Sequence, residues 1–239
     1  MITKVLGVIG GVGPLSTAYF QELIVKMTNA KMDQEHLNMI IFNMPMIPDR
    51  TKYILDKSND NPVPVLINIA KELEKLNVSN LAMPCITAHH FYDDIVKETN
   101  VEFINVIKET RKLLIDKNVH CVGIMATEGT INSQLFQKEM GKAGIGVKVP
   151  TKRMQSHVTE LIYDNVKSDI PADTKKYDLV IEDLIEQGAE VIIIGCTELS
   201  VINKEHKVEY KVLDTLELLA KRSIELNDLQ VKEEYDTLF

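Results

Sequence analysis

The sequence predicts an α/β protein of two pseudo-symmetric lobes, each a mainly parallel sheet flanked by helices. Three observations lead there. Short apolar, β-rich runs alternate with longer segments of helical period, the pattern of parallel sheets covered on both faces. A weak internal repeat relates the two halves of the chain. The length of 239 residues, 45% of them apolar, suits one large domain or two compact lobes with a real core.

Strands are expected near Lys4–Ile9, Leu37–Asn43, Asn80–Met83, Glu102–Ile104, His120–Met125, Val147–Val149, Glu190–Ile194 and Lys211–Leu213. Helices fill most of the gaps: Leu15–Ala30, Val63–Leu76, His89–Glu98, Val106–Asp116, Thr130–Ala143, Val158–Lys167, Asp173–Gln187 and Thr215–Asn227. From Pro45 to Pro62 the chain is rich in Pro, Asp and Asn, so an irregular binding loop or lid is expected there.

The repeat shows at two kinds of position. Val8-Ile-Gly-Gly-Val-Gly-Pro14 and Gly123-Ile-Met-Ala-Thr-Glu-Gly-Thr130 both read as a strand entering a small-residue loop that opens a helix. Leu81-Ala-Met-Pro-Cys85 and Ile193-Ile-Gly-Cys196 both read as a strand ending on a cysteine. The offsets are similar, about 111 to 116 residues. Duplication suggests a first lobe of residues 1–113 with 212–239 and a second of 114–211. Ligands of open α/β sheets bind beyond the carboxyl ends of strands, so an active site in the cleft between lobes is expected.

A net charge of −8 with scattered Lys and Arg leaves no footprint for nucleic acid or anionic lipid. The apolar stretch Val5–Ile9 is too short for a membrane span and runs into a glycine loop rather than a cleavage site, so a cytoplasmic location is expected. The three cysteines lie far apart, with no Cys/His cluster at zinc spacing. In a reducing compartment they are free thiols.

Cys121, within a strand run, reads as a small apolar filler. Cys85 and Cys196 differ, because each follows a strand and precedes residues that can start a helix. Backbone N–H groups and the helix dipole there favour a thiolate. A thiolate and a thiol on opposite sides of a substrate suit racemisation: returning an α-proton to the face it left restores the starting enantiomer, so inversion needs an acid facing the base.

Met83-Pro-Cys-Ile-Thr-Ala-His89 and Gly195-Cys-Thr-Glu-Leu199, with Gly10-Gly-Val-Gly-Pro14 ahead of them, resemble the aspartate/glutamate racemase family, in particular its aspartate racemase branch. The motifs span nearly the whole chain. The resemblance implies a two-lobed α/β fold, racemisation without pyridoxal phosphate or metal, no other cofactor, an amino-acid substrate and a homodimer. It matches Cys85 and Cys196 to the family's two acid/base thiols.

The same resemblance assigns further residues. Arg50, in Ile47-Pro-Asp-Arg-Thr51, corresponds to an arginine that holds a substrate carboxylate, a task that suits a planar guanidinium. Lys167, in Ile162-Tyr-Asp-Asn-Val-Lys167, corresponds to a lysine beside the side-chain carboxylate. Thr87, Thr127 and Thr197 match positions meeting the α-carboxylate or α-amino group. Gly11, with Gly10 and Gly13, lets the first loop approach the ligand closely. A nucleotide site fits this loop poorly, because it lacks the third glycine and the second strand ends on Asn43 rather than an acid. Glu198 and His89 can assist by orienting the thiols or stabilising the deprotonated intermediate, while His90 reads as structural. Ile86 departs from the family, where the residue after the first cysteine is typically Asn and its amide contacts the substrate. The expected substrate is therefore an acidic amino acid, aspartate first. Glutamate or a broader set, a non-racemising relative such as a decarboxylase or maleate isomerase, and an amino-acid sensor are the alternatives.

Overall fold

The computed structural model describes residues 4–239. It divides into two compact units: the first runs to Asn105 and takes in Leu216–Leu238, and the second is Val106–Thr215. Helix 106–116 thus belongs whole to the second unit, whereas the sequence boundary at 113 cuts through it.

In the first unit β1 (Val5–Gly10) leads into α1 (Pro14–Met27), whose Pro14 occupies the first helical position. β2 (Asn38–Asn43) follows. The stretch expected to be wholly irregular then contains the short α2 (Arg50–Ile54), started by Asp49, whose carboxylate accepts from the Lys52 N–H at 2.8 Å. This cap is local chemistry that the surrounding prolines obscured.

α3 (Val63–Lys75) buries Leu66, Ile69, Ala70 and Leu73, one stripe at helical spacing. β3 (Asn80–Ala82) ends before Cys85, after which a 3₁₀ turn over Thr87–Phe91 leads to α4 (Tyr92–Val96) and β4 (Glu102–Phe103). The sheet is parallel throughout, in the order β2-β1-β3-β4.

The second unit repeats this plan. α5 (Val106–Asp116) precedes β5 (Cys121–Met125). The single helix expected over 130–143 is two, α6 (Glu128–Asn132) and α7 (Leu135–Gly141), because Gln134 between them is left-handed at φ 56°. β6 (Gly146–Lys148) and α8 (Lys152–Glu160) follow, and the helical path goes on through a π turn at Leu161–Asn165 and a 3₁₀ turn at Val166–Ser168.

α9 (Thr174–Glu186) buries Tyr177, Val180, Ile181 and Leu184 at the spacing used by α3. β7 (Val191–Ile194), every residue buried, then leads into α10 (Thr197–Glu205) and β8 (Val212–Asp214). This sheet is also parallel, in the order β6-β5-β7-β8. The two strand orders are the same, so the repeat read in the sequence is a repeat of topology.

The last helix, α11 (Thr215–Leu226), carries the chain back to the first unit, where the Asn227 amide donates to the Asn80 side chain at 3.0 Å. Each unit has its own core: Ile9, Leu66, Leu73, Leu81 and Phe91 in the first, Leu161, Tyr177, Ile181, Ile192 and Leu199 in the second. Among the described residues no helix is long and apolar enough to cross a membrane.

Candidate active site

In each sheet the third strand lies on the opposite side of the first strand from the second. The loops leaving the first and third strands therefore diverge, and a crevice opens at the carboxyl ends of the sheet. Gly11 follows β1 and Cys85 follows β3; in the second unit Thr127 follows β5 and Cys196 follows β7. All four residues singled out in the two repeated motifs thus flank the switch point of their own sheet.

In the first unit Cys85 is 5% exposed and its N–H donates to the Met83 carbonyl at 2.7 Å. The segment after it is a 3₁₀ turn, not the α-helix expected to start there. His89 Nδ1 lies 2.9 Å from the Cys85 carbonyl oxygen. A carbonyl only accepts, so Nδ1 carries the hydrogen. Burial pushes the His89 pKa down to about 4, against hydrogen bonding to the Cys85 and Ile104 backbone. His89 is thus a neutral ring that pins the backbone of the cysteine turn. Ile86 is 1% exposed and Thr87 is buried beside it.

Gly11 stands at φ +87°, and a Cβ there would come within 2.3 Å of the Met44 backbone. Its N–H donates to the Thr17 hydroxyl at 3.0 Å. Glycine is thus demanded by the close passage of the loop after β2. Arg50 opens α2, and its Nη1 donates to the carbonyls of Ile47 at 3.3 Å and Pro48 at 3.1 Å. The guanidinium is anchored through the loop that presents it.

In the second unit Cys196 caps the amino end of α10 and is 4% exposed. Its thiol donates to Glu198 Oε2 at 3.0 Å, and the Thr197 hydroxyl reaches the same oxygen at 3.4 Å. Lys167 Nζ lies 3.9 Å from Glu198 Oε1 and 4.3 Å above the Tyr163 ring. Thr127 caps α6, accepting from the Thr130 N–H at 3.2 Å. Lys167, Thr197, Glu198 and Cys196 are brought together; Thr127 stands at the neighbouring strand end.

One expectation is corrected here. The helix start was expected to favour a Cys196 thiolate, yet burial, the Glu198 charge and the Glu198 hydrogen bond push this thiol well above its usual value. A helix terminus contributes about 0.3–1 kcal/mol, whereas full burial moves a titrating group by up to about 3–5 pKa units. Burial wins.

Three supporting residues carry no motif in the sequence. The Gln155 amide donates to the Ala126 carbonyl at 3.0 Å, fixing the loop of Thr127. The Thr215 hydroxyl donates to the Ile194 carbonyl at the end of β7, at 2.6 Å. Asp214 receives the Ser200 hydroxyl at 2.7 Å and the Asn203 amide at 3.3 Å. The available signal was an Asp-Thr pair directly at the end of a strand, Asp214-Thr215.

The family described as Asp/Glu/hydantoin racemase matches residues 9–222. The structure resembles that of an aspartate racemase from Picrophilus torridus, with a TM-score of 0.84 and 30% identity over 97% of each chain. An aspartate racemase homologue from Pyrococcus horikoshii OT3 shares the fold at a TM-score of 0.76, with 24% identity over 95% of this chain and all of that one. A broad-specificity amino-acid racemase of Bacillus subtilis is 28% identical over 92% of this chain and 96% of its own length.

Proposed function

Because the chain belongs to the Asp/Glu/hydantoin racemase family, we propose that it racemises an acidic amino acid, aspartate first, by two-base proton transfer between Cys85 and Cys196. The observation that carries this reading is the equivalence of the two thiols, each just beyond the third strand of one of two sheets of identical strand order. In the mechanism one sulfur takes the α-proton while the other delivers a proton to the opposite face, and the roles exchange in the reverse direction. No pyridoxal phosphate or metal ion takes part.

Substrate recognition in this reading falls to Arg50 for a carboxylate, and to Thr87, Thr127, Thr197 and the Gly11 loop for the α-carboxylate and α-amino groups. Lys167 lies on Glu198, so a substrate side-chain carboxylate competes with Glu198 for it. A second reading, a broader set of amino acids, is favoured by the buried Ile86 beside Cys85, which offers no hydrogen bond where the family typically has Asn.

The test is incubation of the protein, dialysed against a chelator, with single L- and D-amino acids in heavy water, scoring optical inversion and deuterium at the α-carbon. Inversion of aspartate with α-deuterium is expected. Inversion that returns only with added pyridoxal phosphate or a divalent ion overturns the cofactor-independent reading. Product of another carbon skeleton points to a non-racemising relative, and binding without exchange points to a sensor.

A further inference from the structure

Resting on the two-thiol reading above, we propose that Glu198 keeps Cys196 protonated between turnovers, against the opposing charge of Lys167. In the direction in which Cys85 takes the α-proton, Cys196 is then ready as the acid, and the reverse direction starts from the minor form in which Cys196 is the thiolate. The geometry is a chain of three groups, with Cys196 and Glu198 buried and Lys167 reaching them from the surface. The Cys196 thiol donates to one oxygen of Glu198 at 3.0 Å, and the other oxygen faces Lys167 Nζ at 3.9 Å. A carboxylate 3.0 Å from sulfur accepts from a thiol and repels a thiolate, and at 4% and 6% exposure the two groups are poorly screened by water.

The other thiol lacks this arrangement: among the described residues no side chain hydrogen-bonds the Cys85 sulfur. The charged groups acting on Cys196 are Glu198, from its own helix, and Lys167, from the turn 166–168 packed against that helix. In the adjoining turn 161–165, Tyr163 lies under Lys167 and Asp164 is exposed. β7 contributes no ionisable side chain, and Asp214 meets α10 farther along, at Ser200 and Asn203. Lys167 opposes the effect of Glu198 and lowers the thiol, but burial and the carboxylate outweigh it.

The protons balance over a turnover. The Cys85 thiolate takes the α-proton as the C–H bond breaks, and the carbanion takes the Cys196 proton on its other face. Cys85 is then a thiol and Cys196 a thiolate. Return to the starting form moves one proton from Cys85 to Cys196 through solvent, and Glu198 biases that exchange toward completion. Glu198 acts through Cys196, so it is a positioning residue, as is Lys167.

The test reads protonation rather than turnover. The intact protein is treated with iodoacetamide across a pH series, and alkylation of the peptide carrying Cys196 is followed by mass spectrometry. In Glu198→Gln, which keeps the shape but not the charge, the pH midpoint of Cys196 alkylation is expected to fall by at least about one unit, raising the neutral-pH rate about tenfold or more. In Lys167→Met, at a side chain 28% exposed, the midpoint is expected to rise. A Glu198→Gln midpoint within about 0.3 units of wild type, or a fall in Lys167→Met, overturns the proposal. Should Glu198→Gln fail to fold, Lys167→Met decides alone: a rise supports the proposal, and no rise overturns it. No substrate is used, so the result stands apart from the racemase reading, which the heavy-water assay tests.

Discussion

Ser200 donates its hydroxyl to the Asp214 carboxylate at 2.7 Å, tying the helix that begins at Cys196 to the end of the neighbouring strand. Asn203, one turn on, reaches the other carboxylate oxygen at 3.3 Å. The orientation of the Cys196 helix is thus set by a residue outside the motif that carries the cysteine. Asp214→Ala leaves two buried donors without this acceptor, each costing about 1–3 kcal/mol. Thermal melts are expected to show a clear loss of stability, and kcat is expected to fall with KM little changed. An unchanged melt assigns Asp214 no anchoring role.

The two-thiol mechanism predicts that Cys85→Ala and Cys196→Ala each lower racemisation by about a hundred- to ten-thousandfold, since either change removes the acid or base of one face. Cys121, half-buried at the start of β5, is expected to tolerate alanine with full activity and at most about 1 kcal/mol lost. Near wild-type turnover in either of the first two variants rules the mechanism out.

Arg50 carries two expectations that kinetics can separate. If its guanidinium holds the side-chain carboxylate, Arg50→Gln raises KM for aspartate about tenfold or more and leaves KM for alanine nearly unchanged, where alanine is turned over. Equal effects on both substrates assign Arg50 to the α-carboxylate, or to the Ile47 and Pro48 carbonyls that it already holds.

Ile86 tests the substrate. A hydrogen bond to a charged group is worth about 1.5–3 kcal/mol, so Ile86→Asn is expected to improve catalytic efficiency for aspartate or glutamate by about tenfold. Lower activity on both acids, in a protein whose wild type prefers apolar amino acids, makes Ile86 an apolar specificity residue and favours the broader reading.

His89 predicts a pH dependence of stability. Burial lowers its pKa from 6.5 unfolded to about 4 folded, so the folded ring stays neutral while the unfolded ring takes up a proton. Stability present above pH 6.5 is therefore lost as the pH falls toward about 4, by about 3 kcal/mol at most from this group. Urea titrations of wild type and His89→Gln over this window are expected to show a shallower acid slope in the variant. Parallel slopes refute the assignment.

Much of the fold was legible because its signals are local. The burial stripe of α3 and its counterpart in α9, the apolar run of β7 and the glycine-proline turn before α1 each sit within a few residues of sequence. The repeat placed Cys85 and Cys196 at equivalent strand ends, and the strand orders agree. The sequence by itself thus determined the α/β class, the duplicated topology and the ends of the strands where chemistry is expected.

Tertiary structure decided what surrounds those ends. Ser200 and Asp214 are 14 residues apart, Gln155 and Ala126 are 29, and Lys167 reaches Glu198 from a separate turn, so no local pattern foretold these pairs. The protonation of Cys196 is hidden from the sequence for the same reason. A helix start is visible in sequence, but the burial of the thiol and the Glu198 carboxylate 3.0 Å from its sulfur exist only once the chain is packed. Periodicity and turn chemistry act between near neighbours along the chain. Desolvation and charge act through space, and in a buried site they outweigh the pull of a helix terminus.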